Sequence, residues 1–158
     1  MTQTQDGPVL FYMQPYYCLD NFSAFRVTVA GHTFDTAEHA YQWYKFDDPH
    51  IQDLIRTATS AHEAKLLAKE YSGHKRASWH EIKTLVMENV LRAKLAQHEY
   101  VRRKLLQTGD RLIVEDSPVD SFWGRGPDGN GQNVLGNLWM KLRAELRGGG
   151  VARGIRGE

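Results

Sequence analysis

Apolar and polar residues alternate, or form short apolar runs, in three separate stretches of the chain. These stretches are PVLFYM (8–13), FRVTVAGHTF (25–34) and LIVE (112–115). Short runs of this kind, bounded by turn-forming residues, are typical of β-strands. Gly31 lies in the middle of the second stretch, so two strands joined as a hairpin are predicted there.

The remaining pattern is largely helical, and the predicted helices begin at residues suited to capping. A side-chain oxygen at this position accepts a hydrogen bond from one of the first backbone amides, which have no partner inside the helix. Ser60 and Ser78 each precede a glutamate by three residues, which is the capping-box pattern. Thr36 and Asp48 are predicted caps as well, and Pro49 follows Asp48 at the first helical position.

Two predicted helices have an apolar stripe at helical spacing. One runs from Ser78 to about His98, and the other spans residues 133–146 and is followed by three glycines. The residues predicted to be buried are Ile82, Leu85, Val86, Val90 and Ala93 in the first helix, and Leu135, Leu138, Trp139, Leu142 and Leu146 in the second.

Taken together, these elements predict the α+β class, as a compact, mostly helical single domain with a small β-sheet. At 158 residues the chain is long enough for one sizeable core. We expect the domain to span residues 1–147, followed by a flexible tail at 148–158. No apolar run reaches about 18 residues, so no membrane partner is expected, and the location expected for the protein is the cytoplasm.

Charge and ligand-forming residues exclude several classes of function. The formal net charge of +1 gives no overall attraction to nucleic acid or to an anionic membrane, so any phosphate binding must come from a local patch. Cys18 is the single cysteine, which excludes an intramolecular disulfide and a cysteine-based zinc site. The seven histidines include no HExxH pair. Neither a metal nor a cofactor is therefore expected.

The segment TAEHAYQWYKF (36–46) places three polar side chains among aromatic residues. Glu38, Gln42 and Lys45 are spaced by four and then three, so on a helix they form one stripe about 10 Å long. One interpretation is a face that simply points to solvent. The alternative is the wall of a ligand pocket, because flat aromatic surfaces with a few convergent polar groups are typical of such pockets.

A glycine-rich loop, residues 116–136, precedes the last helix. Its GxGxxG spelling does not open a helix within a βαβ unit, so it is not interpreted as a dinucleotide site. The start of the helix near Asn133 is one candidate for phosphate binding, because the first amides of a helix lack internal partners; a flexible surface loop capped by Asn133 is the alternative. Trp123 is expected either to pack in the core or to stack on a ligand. Asp120 either orients a sugar hydroxyl or water, or forms an Asx turn.

Four blocks of sequence, in this order, resemble the NADAR family, also called YbiA-like. They are LDNFSAF (19–25), TAEHAYQWYKF (36–46), SWHEIKTLVMENVLRAKL (78–95) and DSFWGRGPDGNGQNVLGNLWMKLR (120–143), and the resemblance covers roughly residues 10–147. It implies hydrolysis of an N-glycosidic bond to a phosphorylated ribose. Known members remove ADP-ribose from modified guanine or cleave early ribosylamino intermediates of riboflavin synthesis. The wording of the first two blocks is closer to the former members.

The resemblance also implies roles for individual residues. Glu38 and Lys45 match the EH-x-x-Q-x-x-KF helix of the family and are expected to be catalytic, together with Asp120. A carboxyl group suits the protonation of a leaving base, and a desolvated lysine suits a Schiff base with the sugar aldehyde. Expected substrate-binding residues are Asn21, Phe22, Ser23, Gln42, Trp79, Ser121, Trp123, Gly124, Asn133 and Gly136.

The expected substrate is ADP-ribosylated guanine, free or in DNA, and an ADP-ribosyltransferase is a possible partner. The first alternative is an N-glycosidase that acts on ribosylamino-pyrimidine phosphates of riboflavin synthesis. The second is a non-catalytic module that binds ADP-ribose or NAD, although such a module has little use for both Glu38 and Lys45.

Overall fold

The computed structural model describes residues 7–11 and 15–148. Helix exceeds strand in these residues, which confirms the α+β class. The described residues form two compact units, residues 21–99 and the described residues before 21 together with 100–148, and the prediction of one domain at 1–147 stays a prediction. In chain order, the strands and α-helices of the described part are β1 (Val9–Leu10), β2 (Val27–Val29), β3 (His32–Phe34), α1 (Ala37–Trp43), α2 (Pro49–Arg56), α3 (Ala61–Glu70), α4 (Trp79–Gln97), α5 (Glu99–Gln107), β4 (Ile113–Val114) and α6 (Val134–Gly148).

The predicted hairpin is confirmed in the unit of residues 21–99. Strands β2 and β3 pair antiparallel, with Val27 opposite Phe34. Ala30 and Gly31 both have positive φ angles, 52° and 78°, which is the backbone of a two-residue type I′ turn. The side chain of Gln97, at the end of α4, donates to the Thr28 carbonyl and accepts from the Thr28 amide, so the hairpin is held to α4.

Three of the four predicted helix caps are confirmed. The side chains of Thr36, Asp48 and Ser60 accept hydrogen bonds from backbone amides in the first turns of α1, α2 and α3. The fourth is wrong, because Ser78 makes no side-chain cap hydrogen bond. Its φ and ψ angles of −84° and 8° differ from the extended backbone that usually lets a capping side chain reach the following amides.

The buried face of α4 differs from the predicted stripe at several positions. Leu85 is 60% exposed, and Ile82 and Ala93 are only partly buried. Helical spacing was correct, but the stripe is rotated, because the other elements of the fold decide which side of a helix is covered. The buried residues of α4 are Trp79, Val86, Met87, Val90, Leu91, Lys94 and Leu95.

The second unit contains a separate two-stranded sheet, so the strands of the described residues form two small sheets. Strands β1 and β4 pair parallel, with Val9 beside Ile113. Both strands have only two residues, and residues 12–13 of the predicted first strand lie outside the described segments. Helix α6 packs against β4, and the indole of Trp139 donates to the Leu19 carbonyl at 3.0 Å.

Helix α6 begins at Val134 and extends through Gly148, so the predicted tail starts too early. The rest of that tail, residues 149–158, lies outside the described residues. None of the helices in the described segments combines the length and the apolar character that crossing a lipid bilayer requires.

Candidate active site

Helix α1 holds the first two residues of the predicted polar stripe in a buried position. Glu38 is 7% exposed and Gln42 is 4% exposed. The Gln42 Nε2 donates to Glu38 Oε2 at 2.6 Å, which is the contact expected for residues four apart on a helix. The interpretation of this stripe as a solvent-facing surface is therefore wrong for these two residues.

Helix α1 is shorter than the predicted segment, and Lys45 lies just beyond its end. The helix ends at Trp43, and the Lys45 amide donates to the Gln42 carbonyl three residues earlier rather than to a carbonyl four residues earlier. Further along, Asp48 precedes Pro49 and has an extended backbone with a ψ angle of 116°, as a residue before proline favours. The chain must leave α1 before it can begin α2.

The Lys45 side chain lies against two aromatic rings. Its Nζ is 5.4 Å from the centre of the Tyr41 ring and 5.8 Å from that of Trp79, and these rings are 5.2 Å apart. Burial lowers the pKa of Lys45 below its ordinary value of 10.5. Glu38 partly offsets this effect by raising the pKa, so burial makes the Lys45 amine easier to deprotonate while the Glu38 charge opposes that change.

Three further lysines also lower the pKa of Lys45. They are Lys75, Lys65 and Lys83, and each acts through the repulsion of like charges. Their positive charge therefore adds to the effect of burial at the candidate nucleophile.

The segment that contains Asn21, Phe22 and Ser23 lies beside the stripe. The Asn21 carbonyl accepts a hydrogen bond from the Glu38 amide at 3.0 Å. Its side-chain amide donates to the Met87 sulfur at 3.2 Å, whereas its Oδ1 is buried without a hydrogen-bond partner. The Oε1 of Gln42 is likewise buried without a partner. These two acceptor oxygens are available to a ligand with hydroxyl groups.

Lys94 is a buried lysine that the sequence analysis did not single out, and it contacts the segment containing Ser23. It is 0% exposed, in the buried face of α4, and its Nζ donates to the Ser23 hydroxyl at 2.9 Å. The same Nζ lies 5.4 Å from the centre of the Phe25 ring. The available signal was the position of Lys94 four residues after Val90, on the stripe of α4.

Trp79 does not present an open face for stacking. It is 3% exposed, and its neighbours include Tyr41 and the amine of Lys45. Its expected role in substrate binding stays a prediction. Trp79 is better placed to form the wall against which Lys45 lies.

In the second unit, Asp120 forms the Asx turn that was the structural alternative for this residue. Its Oδ1 accepts hydrogen bonds from the amides of Phe122 at 2.9 Å and Trp123 at 2.8 Å. The Trp123 ring packs edge-on against Phe122, with the ring centres 4.8 Å apart, and is partly exposed. Ser121 is exposed. A catalytic role for Asp120 stays a prediction.

The glycines of this loop let the backbone pack closely on itself. A Cβ atom on Gly131 would lie 2.5 Å from the Gly124 carbonyl oxygen, and one on Gly124 would lie 2.7 Å from the Glu115 carbonyl oxygen. Such separations are shorter than real contacts of a Cβ atom. The amides of Arg125 and Asn133 donate to the Glu115 and Gly124 carbonyls, so the loop is a folded structure rather than a flexible one.

The amides of Val134 and Leu135, at the start of α6, already donate within the protein, and phosphate binding at this helix stays a prediction. The Val134 amide donates to the Phe122 carbonyl at 3.0 Å, and the Leu135 amide donates to the Trp123 carbonyl at 3.1 Å. An amide that already donates within the protein is a poor ligand for phosphate.

Asn133 and Gly136 attach α6 to strand β4. Asn133 Oδ1 accepts from the Glu115 amide at 2.9 Å, and its Nδ2 donates to the Ile113 carbonyl at 2.9 Å. A Cβ atom on Gly136 would lie 2.1 Å from the same Ile113 oxygen. These contacts give a structural reason for asparagine at position 133 and glycine at position 136. They do not test the predicted contact of these two residues with substrate.

The predicted site residues thus fall into two groups. Within residues 21–99, the structure joins Asn21, Glu38, Gln42, Lys45 and Trp79 through direct contacts or charge interactions. Phe22 and Ser23 follow Asn21 in the chain. The other group consists of the loop residues Asp120, Ser121, Trp123, Gly124, Asn133 and Gly136. Among the residues described, no three His, Cys, Asp or Glu side chains cluster as metal ligands would.

Known proteins resemble this chain in sequence and in fold. The N-glycosidase YbiA of Escherichia coli is 38% identical over 144 residues, covering 90% of each protein. An N-glycosidase of Nostoc punctiforme is 39% identical over 137 residues, covering 85% of this chain and 88% of that protein. A riboflavin biosynthesis protein of Vibrio vulnificus is 38% identical over 144 residues, but this chain spans only 39% of its length.

The NMR structure of the Escherichia coli protein YbiA has the same fold. Its TM-score is 0.82 at 37% sequence identity, over 92% of this chain and 88% of that one. The two relatives named N-glycosidase confirm the enzyme class expected from the sequence. The NADAR domain matches residues 10–147, which is most of the chain. The chain belongs to the NADAR family.

Proposed function

We propose that this N-glycosidase hydrolyses the bond between a base and a phosphorylated ribose, and that its substrate is ADP-ribosylated guanine, free or in DNA. The observation that carries the proposal is the pair formed by the buried Glu38, hydrogen-bonded to Gln42, and the partly buried Lys45, which lies against Tyr41 and Trp79 and whose amine has a lowered pKa. An ADP-ribosyltransferase is the class of enzyme that would supply such a substrate.

We assign two tasks to Glu38: it protonates the leaving base, and it stabilises the positive charge on the ribose. Cleavage of a ribosyl bond develops positive charge at the anomeric carbon, and the departing nitrogen of the base needs a proton. A carboxyl group held in a buried site by a 2.6 Å hydrogen bond from Gln42 has a fixed position and little water to compete with it. Glu38 therefore donates the proton to the base and its carboxylate then stabilises the cation.

Lys45 is assigned to covalent catalysis. Its neutral amine forms a bond to the anomeric carbon as the bond to the base breaks and the base takes the proton of Glu38. The ribose ring then opens to give a Schiff base, and the ring oxygen takes up the proton that the attached amine loses. The proton that Glu38 gave to the base is replaced from the water that adds next. Water then adds to the carbon of the Schiff base, the amine leaves, and the released aldehyde closes to ribose. The sum is hydrolysis, with one water consumed and the lysine regenerated.

Asn21 and Gln42 are assigned to the ribose hydroxyls. Their Oδ1 and Oε1 atoms are buried acceptors without partners, which is costly in a folded protein unless a ligand supplies a donor. The orientation of the Gln42 amide follows from its contact, because the Glu38 carboxylate accepts and so must face the amide nitrogen. Two hydroxyl donors of a ribose would satisfy both oxygens.

A second candidate substrate has a specific observation in its favour. Relatives from Vibrio vulnificus and Zea mays are named riboflavin biosynthesis proteins. This chain spans 39% of the first and 20% of the second, so the names describe much longer proteins. Ribosylamino-pyrimidine phosphates present the same kind of bond to Glu38 and Lys45, and only the leaving base differs.

Product release decides between the substrates. The protein is incubated with an ADP-ribosylated guanine oligonucleotide, ADP-ribosylated guanosine and a ribosylamino-pyrimidine phosphate. Chromatography measures ADP-ribose and the unmodified oligonucleotide or guanosine from the first two substrates, and the free pyrimidine from the third. We expect release of ADP-ribose, with the guanine restored in the oligonucleotide or the nucleoside. A Glu38→Gln variant should be slowed by about 10²–10⁴-fold, and a Glu70→Gln control should have the parent rate, because Glu70 is exposed on α3. If only the pyrimidine is released, the ribosylamino-pyrimidine phosphate is the substrate and ADP-ribosylated guanine is not.

Borohydride trapping tests the covalent step separately. Reduction during turnover should attach the sugar to Lys45 irreversibly, and mass spectrometry of the peptides locates the adduct. If the enzyme is active but no adduct forms, the Schiff-base step is rejected and Lys45 is a binding residue. If folded protein binds ADP-ribose but cleaves none of the substrates, the chain is a binding module instead.

A further inference from the structure

We propose that Lys65, Lys75 and Lys83, named here the lysine rim, bind the phosphate groups of the ribosyl substrate. The proposal rests on the proposed function, because it assigns the phosphate subsite of the same reaction. The helix start near Asn133, which the sequence favoured for this task, has its Val134 and Leu135 amides occupied. The lysine rim supplies positive charge next to Lys45 instead.

Lys65 extends from α3 over the segment that bonds to α1. Its Nζ lies 5.9 Å from the centre of the Phe22 ring. The preceding residue, Asn21, accepts a hydrogen bond from the Glu38 amide through its carbonyl. Lys65 is exposed and has no carboxylate oxygen within 4.0 Å in the part of the chain that the structure describes. It is therefore a cation on the Glu38 side of the site without an acidic partner.

The backbone next to Lys75 is hydrogen-bonded to the backbone of Lys45. The amide of the next residue, Arg76, donates to the Lys45 carbonyl at 2.8 Å. The Arg76 guanidinium is engaged with the Asp47 carboxylate and the Phe46 carbonyl, both at 3.1 Å. Lys75 itself is exposed and, like Lys65, lacks a carboxylate partner among the described residues. Of these two neighbouring cations, Lys75 is the one available to a ligand.

Lys83 lies on α4, on the same face of that helix as Trp79, whose ring lies against Lys45. It follows Trp79 by four residues, so the two side chains lie on one face of the helix. The Trp79 ring centre is 5.8 Å from Lys45 Nζ. All three residues of the lysine rim also lower the pKa of Lys45, which places their charges within electrostatic range of one point.

Three cations from three parts of the chain repel one another, and an anion removes that repulsion. With a net charge of only +1, the protein has no general excess of positive charge that would produce this cluster by composition alone. Lysine is a common phosphate ligand that acts as a point charge. Lys65 and Lys75 are exposed, and Lys83 is partly exposed. A phosphorylated ribose would thus place its phosphate on the rim and its anomeric carbon toward Lys45.

Calorimetric titration tests the lysine rim without turnover. The probes are ADP-ribose and ribose 5-phosphate, and the variants are Lys65→Gln, Lys75→Gln, Lys83→Gln and the triple variant. Lys69→Gln is the matched control, because Lys69 is exposed one turn after Lys65 on α3 and is not among the charges that act on Lys45. Each rim substitution should weaken binding about 3- to 10-fold, with a smaller effect at high salt, and the control should bind as the parent does.

The two probes identify the phosphate that is bound. A loss for both means that the rim holds the phosphate on the ribose 5′ oxygen, and a loss for ADP-ribose alone means that it holds the distal phosphate of the diphosphate. Unchanged affinity in the triple variant, an equal loss in the Lys69→Gln control, or no binding of either probe by the parent protein would overturn the proposal.

Failure of the lysine rim differs from failure of the N-glycosidase. If the protein binds the probes through the lysine rim but cleaves none of the substrates, the phosphate-binding proposal stands and the N-glycosidase proposal fails. If the triple variant has the same KM and kcat as the parent on the cleaved substrate, the N-glycosidase proposal stands and the phosphate-binding proposal fails. If the rim binds phosphate, KM should rise in the triple variant while kcat changes much less, because the charge acts on binding rather than on the bond that breaks.

Discussion

Replacing Gly136 with alanine tests whether this glycine is required by packing in α6. In an exposed helix position, glycine to alanine stabilises by about 0.5–1 kcal/mol, because alanine loses less backbone freedom on folding. Here the new Cβ atom would lie 2.1 Å from the Ile113 carbonyl oxygen and 2.5 Å from the Asn133 Nδ2. Helix propensity and packing therefore predict opposite signs.

The magnitude follows from what must move. The Asn133 side chain can rotate away only by losing its hydrogen bonds to Ile113 and Glu115, at about 1 kcal/mol each. The Ile113 oxygen belongs to β4, which is paired with β1, and overpacking of this kind costs about 1–3 kcal/mol. After subtracting the gain in helix propensity, we expect the free energy of unfolding to fall by about 2–4 kcal/mol.

Urea unfolding followed by far-UV circular dichroism measures this difference, and a fall in Tm of about 5–15 °C should accompany it. Gly73→Ala is the matched control, since a Cβ atom there meets nothing within 4 Å, and it should change stability by less than about 0.5 kcal/mol. If Gly136→Ala were as stable as the parent, or more stable, the argument from close packing of α6 on β4 would be refuted.

Three other predictions concern the site and its supports. The rate of reductive methylation of Lys45 should have a pH midpoint below 10.5, and Glu38→Gln should lower the midpoint further, because the carboxylate raises the pKa that burial depresses; a midpoint at or above 10.5 in the parent would contradict this. Asp48→Ala should cost about 1 kcal/mol in urea unfolding, because its side chain accepts from the His50 amide at the start of α2. Asn133→Ala should destabilise more than Asn133→Gly, because both lose two hydrogen bonds while only alanine is strained at a φ of 51°; equal thermal stabilities would rule out the backbone contribution.

The pH dependence of stability at Lys45 has a defined sign. Its folded-state pKa is lowered, so between that value and 10.5 the unfolded chain binds more protons than the folded protein does. The free energy of unfolding should therefore rise with pH across this window. Comparison of the parent with Lys45→Gln isolates the contribution, and a steeper rise in the variant would contradict it.

Local sequence determined the features that depend on neighbours in the chain. The hairpin at Gly31, the caps at Thr36, Asp48 and Ser60, and the contact between Glu38 and Gln42 each follow from hydrogen bonds or backbone angles within a few residues. Motif order across the whole chain also identified the family, which the domain match confirms.

Only the tertiary structure decided features that depend on distant segments. It exposes Leu85 and buries Lys94 in the same helix, because the elements packed on α4 decide which face is covered. It also occupies the first amides of α6 with carbonyls of the preceding loop, and it makes Asn133 and Gly136 contacts of Ile113, about twenty residues away. A one-dimensional pattern specifies residue type and period, whereas the partner of a side chain is set by where the chain returns in space.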